Sequence, residues 1–360
     1  MRHIPNNREY LHALSLLTLN SANSDSAVPY VGSLSQQERG VFLGLANRNH
    51  VVIRALQSLH QSATATGQAE LVDWTTDVLT AERARISTAL EILDSVCRGM
   101  EIGGCPLSVL KSLDHTPDLG SDLDLYTTAD KRAVMHVMVD KFKARIEPRS
   151  MGDCLANKWN FAIPGLREAV EVHVQRLGQT GEHTHLARRF VTRRVWKQIG
   201  GYTFPVPAPE ETVLAATLQR MYRHFFFRIC DIVNTAGLVE QQNPDYAELK
   251  EVADLGGIWP GLATYLRVVS DYVKKYRGTS LDVPQWVLSS ALFGGEKIFC
   301  HGPFLHMPLL PQAVGLYTSQ VAKTMLRGNL SATFRLSLLP PLFSFAAVHS
   351  KITGKDHGIW

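Results

Sequence analysis

The stretch VLKSLDHTPDLGSDLDLYTTADK, residues 109–131, places Asp122 and Asp124 two positions apart, between leucines and directly behind a Gly-Ser pair. Side chains alternate between the two faces of a β-strand. Leu123 and Leu125 therefore share one face, and Asp122, Asp124 and Tyr126 share the other. Two carboxylates this close repel each other, so the pair is unfavourable unless a cation sits between them.

A second stretch, EAVEVHVQ at 168–175, has the same design. Val170, Val172 and Val174 face a core, while Glu171, His173 and Gln175 face away. If the two strands are neighbours in one sheet, Glu171 joins the aspartates and three carboxylates converge. Such a cluster suits Mg²⁺ or Mn²⁺, which take hard oxygen ligands and leave sites open for water and phosphate oxygens. A metal pair bridging an attacking hydroxyl and a nucleoside triphosphate is the machinery of nucleotidyl transfer. The plainer alternative is an aspartate pair solvated at a strand end.

Around these strands the periodicity is mostly helical. Residues 36–61 and 71–96 carry apolar side chains at three- and four-residue steps, separated by the polar SATATGQAE at 62–70. PLSVLKS and KWNFAIP look like further strands, and TTADKRAVMHVMVDKFK looks like a helix with Thr128 as its N-cap. Helical patterns resume at Pro209 and run through residue 276, ahead of an apolar, basic tail broken by Pro340 and Pro341. The expected fold is α+β, with a small mixed β-sheet core between N-terminal and C-terminal helical regions. The expected boundaries are 1–100, 101–205 and 206–360.

Composition narrows the class further. The 360 residues, 45% hydrophobic and 19% charged, belong to a globular chain and exclude a disordered or fibrous one. A net charge of +4 without a dense Lys/Arg tract fits mild attraction to polyanions but not a dedicated nucleic-acid binder. The five cysteines show no metal or redox spacing, which predicts free thiols and a cytoplasmic setting. The N-terminal 25 residues are interrupted by Asn, Glu and His and make a poor signal peptide. No run of apolar residues is long enough to predict a spanning helix.

With these motifs in order, the chain resembles the polymerase-β-like nucleotidyltransferase superfamily, and within it a branch of uncharacterised nucleotidyltransferases. The features that carry the resemblance are the VLKS approach, DLDLY after a gap of nine residues from Ser112, VEVH at 170–173 and RMYRHFFFRICDI at 220–232. It covers roughly residues 40–275. The resemblance implies transfer of a nucleoside monophosphate, AMP in first place, from a nucleoside triphosphate to a hydroxyl or phosphate acceptor, releasing pyrophosphate. It makes Asp122, Asp124 and Glu171 the metal-holding catalytic acids, with Lys111, Ser112, Gly120, Ser121, His224 and Arg228 around the nucleotide. The family's glycine after the lysine is Ser112 here. The acceptor, whether small molecule, peptide, protein or RNA, is not named by any motif.

Several residues carry two readings. His224, Arg228 and Asp231 are spaced to share one helical face, either as a nucleotide-contacting stripe or as an Arg228–Asp231 pair anchoring the helix. Phe225–Phe227 read as core. His183 and His185 suggest metal ligands, but a solvated loop is preferred, and the basic run 188–197 reads as an exposed helix face rather than an RNA contact. The competing functions are a phosphotransferase on the same metal site, an inactive nucleotide-binding or interaction protein on the same fold, and membrane-surface contact through the tail.

Overall fold

The computed structural model describes residues 7–19 and 25–342. It is an α+β fold whose sheet is small and whose flanks are helical. The N-terminal part comprises α1 (Asn7–Leu19), α2 (Val28–Ser33), α3 (Gln36–Arg48), α4 (Val52–Ala65) and α5 (Ala69–Ile102). Ser35 and Glu38 form a reciprocal capping box that starts α3. The periodic stretch 36–61 divides at Asn49–Val51, where His50 takes a φ of +51°. The polar linker shrinks to residues 66–68, because helix claims both of its ends.

At 34 residues, α5 is about 50 Å long and serves two cores. Leu71 and Leu79 pack with the other N-terminal helices, while Leu90, Leu93, Val96 and Met100 pack under the sheet. The sheet strands are β1 (Leu107–Leu110), β2 (Asp122–Thr127), β3 (Arg145–Ile146), β4 (Lys158–Ala162) and β5 (Ala169–Val174). Their spatial order is β1-β2-β5-β4-β3. Only β2 and β5 run parallel; the other neighbours are antiparallel. Helix α6 (Lys131–Met135) continues as a wider π turn to Lys141. Its N-cap is Asp130, which accepts from the N–H groups of Arg132 and Ala133. Thr128, expected there from sequence, lies too far upstream.

After α7 (Met151–Ala156), α8 (Thr184–Ala187) and α9 (Arg189–Thr192), a hairpin of β6 (Val195–Ile199) and β7 (Tyr202–Val206) closes this part. The C-terminal part holds α10 (Pro209–Gln219), a π turn at Arg220–His224, β8 (Phe226–Phe227), α11 (Ile229–Gln242), α12 (Tyr246–Leu255) and α13 (Trp259–Arg277). It is not wholly helical: β9 (Phe299–His301) and β10 (Phe304–His306) join β8 in a second sheet of order β8-β10-β9. Two further helices, Val314–Leu326 and Leu330–Ser337, follow. The part of the tail beyond Leu342, including any membrane-surface role for it, lies outside the described residues. Among the described residues no helix is long and apolar enough to cross a membrane.

Helices from the two ends of the chain share one core. Leu14, Phe42 and Leu56 belong to the same buried cluster as Ile229, Leu262 and Tyr265. The sheet's loop is tied to this body by Asp118, a buried carboxylate that accepts from the N–H of Ile53 at 2.5 Å and of Arg54 at 3.4 Å. It acts as a distant cap for α4, whose own N-cap Val51 offers no side-chain oxygen. Asp118→Ala is therefore expected to lower the unfolding free energy by about 2 kcal/mol. Chemical denaturation of variant and wild type would read this as a lower midpoint with an unchanged slope.

Candidate functional site

The parallel pairing of β2 and β5 sets Asp124 opposite Glu171 and Tyr126 opposite His173. On the far side of β5, Lys158 of β4 stands opposite His173 and Asn160 opposite Glu171. All of these project from one face. The other face presents Leu123, Leu125, Val170, Val172 and Val174, fully buried against α5 and α6. The alternation read from both strands is thus the alternation observed.

On the polar face, ligand atoms of Asp124, Glu171 and His173 lie within 4.8 Å of one another. Two ammonium groups reach in from either side. Lys111 Nζ is 3.0 Å from Asp124 Oδ2, and Lys158 Nζ is 2.9 Å from Glu171 Oε2 and 2.8 Å from Asp153 Oδ1. His173 Nε2 lies 3.1 Å from Glu171 Oε1 and 3.6 Å from Asp124 Oδ1. Because a carboxylate only accepts, the Nε2 facing Glu171 carries the proton. Asp122 sits half-buried at the open end of β2, its Oδ1 3.5 Å from the Ser121 hydroxyl.

The electrostatics follow from this crowding. Burial pushes the Asp124 carboxyl up, with Asp122 and Glu171 adding to the effect against the Lys111 ammonium. Burial alone would raise Glu171 too, but the His173 hydrogen bond and the Lys158 ammonium hold it well below the usual carboxylate range. Lys158 is raised despite its burial, because Glu171 and Asp153 stabilise its charged form. Around this point four carboxylates, Asp122, Asp124, Asp153 and Glu171, face two ammonium groups. Asp124 Oδ1 is buried and has no hydrogen-bond partner among the described residues. The orphaned carboxylate oxygen, close to ligand atoms of Glu171 and His173, fits a metal ion.

Lys111 occupies the place of a glycine in backbone terms. Its φ of +36° lies in the left-handed region, which costs a side-chain-bearing residue roughly 1–2 kcal/mol. That conformation turns the chain between β1 and the Ser112–His115 turn, with the ammonium held at Asp124. Ser112 is committed elsewhere: its buried hydroxyl accepts from Asp124 N–H at 2.8 Å and donates to the Asp122 carbonyl at 3.3 Å. It knots the end of the hairpin. Gly120 lies between a histidine and an acid, since a Cβ there would stand 3.3 Å from His50 Cε1 and 3.6 Å from Asp122 Oδ1. Arg85 of α5 holds the carbonyls of Leu119 and Gly120.

The expected helix through His224, Arg228 and Asp231 does not exist as one element. Phe225 takes a φ of +57° and ends the π turn, Phe226 and Phe227 form β8, and α11 begins only after Arg228. Asp231 caps α11 by accepting from Arg228 N–H at 2.6 Å, and its carboxylate pairs with the buried Arg220 rather than the Arg228 side chain. The Arg228 guanidinium instead meets His50 Nε2 at 2.7 Å, close enough to Asp122 for that charge to act on it. His224 is held neutral by burial, followed by the charges of Arg223, Arg220, Lys111 and Arg228. Four cations thus act on His224, and two of them, Lys111 and Arg228, also lie close to the acids. Phe227 is core, as expected, stacked on Tyr265, whereas Phe226 stacks on Phe304 of β10.

Two further expectations are corrected. His183 is buried beside Glu182 rather than solvated, and the His185 side chain lies outside the described residues. The basic run 188–197 is neither an open helix face nor a free basic patch. Arg189 and Arg193 pair with Glu211 and Glu248, and Arg194 pairs with Glu101. The five cysteines form no disulfide.

Sequence reasoning missed Lys158, His50 and His115. Lys158 had a signal, because KWNFA alternates and puts Lys158 and Asn160 on one face. His50 had none, since its role follows from the break between two helices. It stacks on His115 with ring centroids 5.0 Å apart, and His115 Nδ1 meets Asn234 Nδ2 at 2.8 Å. Beside them a polar cavity of about 370 Å³ opens against Lys111, Arg54, Thr116 and Lys197.

No family model and no curated protein matches this chain. Among solved structures, an antigenic nucleotidyltransferase-like protein from Paracoccidioides brasiliensis is similar to it at a TM-score of 0.31 and 14% identity, over 42% of this chain and 76% of that one. Likeness at that level carries no weight for function, which rests on the side chains.

The two stacked histidines generate a pH prediction. Burial, then Arg228, pushes His50 down to about 3, and burial with His50 and Arg54 lowers His115 well below its ordinary value. Both stay neutral in the folded chain but take up protons near pH 6.5 once unfolded. Their contribution is complete above about pH 6.5 and falls as the pH drops toward about 3, by up to about 1.4 kcal/mol per pH unit each. Urea unfolding at about pH 7.5 and 5.5 should show the loss, and His50→Gln should lessen it.

Proposed function

We propose that the chain is a metal-dependent nucleotidyltransferase. It would move a nucleoside monophosphate, AMP in first place, from a nucleoside triphosphate to a hydroxyl or phosphate acceptor. Pyrophosphate would be released. One observation carries the reading: Asp124 and Glu171 stand side by side on parallel strands, with Asp122 two residues away, Lys111 on Asp124 and Arg228 near Asp122. Acids and cations side by side suit a metal–triphosphate complex, whose phosphate oxygens need both.

Asp122, Asp124 and Glu171 would hold Mg²⁺ or Mn²⁺. Bound there, the ion would polarise the α-phosphate and lower the pKa of an acceptor hydroxyl. The remaining roles belong to the protein's own groups. Lys111 and Arg228 meet phosphate oxygens, Lys111 as a point charge and Arg228 as a planar fork. His173 and Lys158 each fix one oxygen of Glu171, which orients that carboxylate toward Asp124. Ser112 contributes by holding the main chain of both aspartates rather than by donating to a phosphate. Gly120 and Ser121 frame Asp122 at the mouth. His224 sits neutral among the cations, able to donate one ring N–H without adding charge. The unpaired cysteines fit a reducing compartment such as the cytoplasm.

A second reading has support of its own. Lys111 and Lys158 already sit on Asp124 and Glu171, so the ammonium groups can stand in for metal in a nucleotide-binding protein without turnover.

One experiment separates the two. Purified protein is incubated with each of the four ribonucleoside triphosphates and Mg²⁺ or Mn²⁺, with a cell extract as the acceptor pool. Pyrophosphate release is measured alongside Mn²⁺ binding by electron paramagnetic resonance. The expected result is metal-dependent release that falls on the order of a hundredfold or more in Asp122→Asn/Asp124→Asn, with loss of Mn²⁺ binding. Nucleotide binding that ignores both the metal and the double substitution would favour the lysine-neutralised binding protein. Lys111→Ala should raise KM for the nucleotide more than it lowers kcat, because a point charge on the phosphates acts in ground and transition state alike.

A further inference from the structure

The helices Val314–Leu326 and Leu330–Ser337 fold back on each other. Tyr317, early in the first, donates its hydroxyl to the carbonyl of Leu336, late in the second, at 2.9 Å. Gly328, at a φ of +71°, turns the chain between them, and the Asn329 side chain accepts from Ala332 N–H at 3.1 Å to start the second helix. The inward side is held by the body of the protein. Leu316 enters the shared helical core, Ala332 and Leu336 are buried, and Arg335 Nη1 donates to the Thr180 carbonyl at 2.5 Å.

The outward side is unlike an ordinary surface. A helix on a globular protein usually turns charged and polar side chains to water. In the first helix Val314, Thr318, Ala322 and Met325 are exposed at steps of three and four residues, so they share one face, and none is charged. Toward the turn the exposed side chains grow larger. Met325 is 64% exposed, Leu326 87%, Leu330 75% and Phe334 66%. Single exposed apolar residues are common, but four large ones around one turn mark a contact surface.

Charge selects what that surface meets. Residues 297–355 contain Lys297, Lys323, Arg327, Arg335, Lys351 and Lys355 and no Asp or Glu. Arg327 is exposed in the turn itself, among the apolar side chains. Lys323 lies 3.6 Å from Asp254, a carboxylate that Lys250 already holds at 3.0 Å. An apolar turn carrying cations and no acid complements a surface that is anionic outside and apolar beneath, which describes a bilayer of acidic phospholipids. A second copy of the chain fits worse, because two such faces would bring cations against cations.

We propose that the turn between these two helices docks on an anionic phospholipid bilayer. Met325, Leu326, Leu330 and Phe334 enter the interface, while Arg327 and Lys323 meet lipid phosphates. The contact is peripheral, since no helix among the described residues is long and apolar enough to cross a membrane. It does not rest on the nucleotidyltransferase reading, because none of these residues belongs to the acid cluster.

The test floats the full chain on sucrose gradients with vesicles of phosphatidylcholine, alone or with about 30% phosphatidylserine. The expected result is flotation with the phosphatidylserine vesicles, about tenfold or more above phosphatidylcholine alone and weakened as salt rises from about 0.1 to about 0.5 M. Leu326→Glu/Leu330→Glu should cut it about tenfold or more without moving the unfolding midpoint, because both positions are exposed. Arg327→Glu should also weaken it, and Asp122→Asn/Asp124→Asn should float as wild type. No flotation, equal flotation with both vesicles, or flotation that neither Leu326→Glu/Leu330→Glu nor Arg327→Glu changes overturns the proposal. So does a lipid-free dimer, read by sedimentation velocity, that Leu326→Glu/Leu330→Glu dissociates, since a second copy then covers the face.

Discussion

Setting Asp124 against Glu171 on adjacent parallel strands places two carboxylates where water scarcely reaches, with a third at the strand end. Unpaired, such burial would cost several kcal/mol per charge. Much of the surrounding architecture compensates for it. Lys158 opens β4 at the register that brings its ammonium to Glu171, and Asp153 completes the pair from the first turn of α7. Lys111 accepts a left-handed backbone, unfavourable for a lysine, where that turn brings its charge to Asp124. Ser112 then secures the main chain of both aspartates. Strain and buried charge are thus concentrated at one point of the sheet.

The helical body supplies the opposite wall. Asn49, in the break between α3 and α4, accepts from Ile229 N–H through its side chain and from Cys230 N–H through its carbonyl. The start of α11, and Arg228 with it, is thereby fixed by residues almost two hundred positions upstream. Asp118 fixes the acid-bearing loop to α4, and Arg85 of α5 fixes the carbonyls of Leu119 and Gly120. Both sides of the cluster are thus referenced to the same helices. The distance between them is set by the large core that the two ends of the chain build together.

Much of this was legible in the residues. Period-two alternation in DLDLY and VEVHV separates a valine and leucine face from an acid face, because only one side of each strand can enter the core beneath α5 and α6. The faces that carry Asp124 and Glu171 follow from that pattern, whereas their pairing needed β2 and β5 to be neighbours. What misled was equally physical. RMYRHFFFRICDI has helical spacing throughout, yet Phe225 turns left-handed so that Phe226 can stack on Phe304 and Phe227 can reach Tyr265. Stacking and strand pairing from remote segments outweigh local propensity there. The arginines at 188–194 look free in one dimension only because Glu101, Glu211 and Glu248 are distant in sequence.

The sequence by itself determined which side chains share each face of the two short strands, since that depends on the two-residue period alone. It also determined that three acids and a histidine would travel on those strands. Tertiary structure alone decided what neutralises them. Lys158, His50 and the cluster of Arg220, Arg223 and Arg228 acquire their roles from strand order, a helix break and a helix start, none of which has a local signature. Coulombic and hydrogen-bonding partners act through space, and the chain's local periodicity carries no record of that distance.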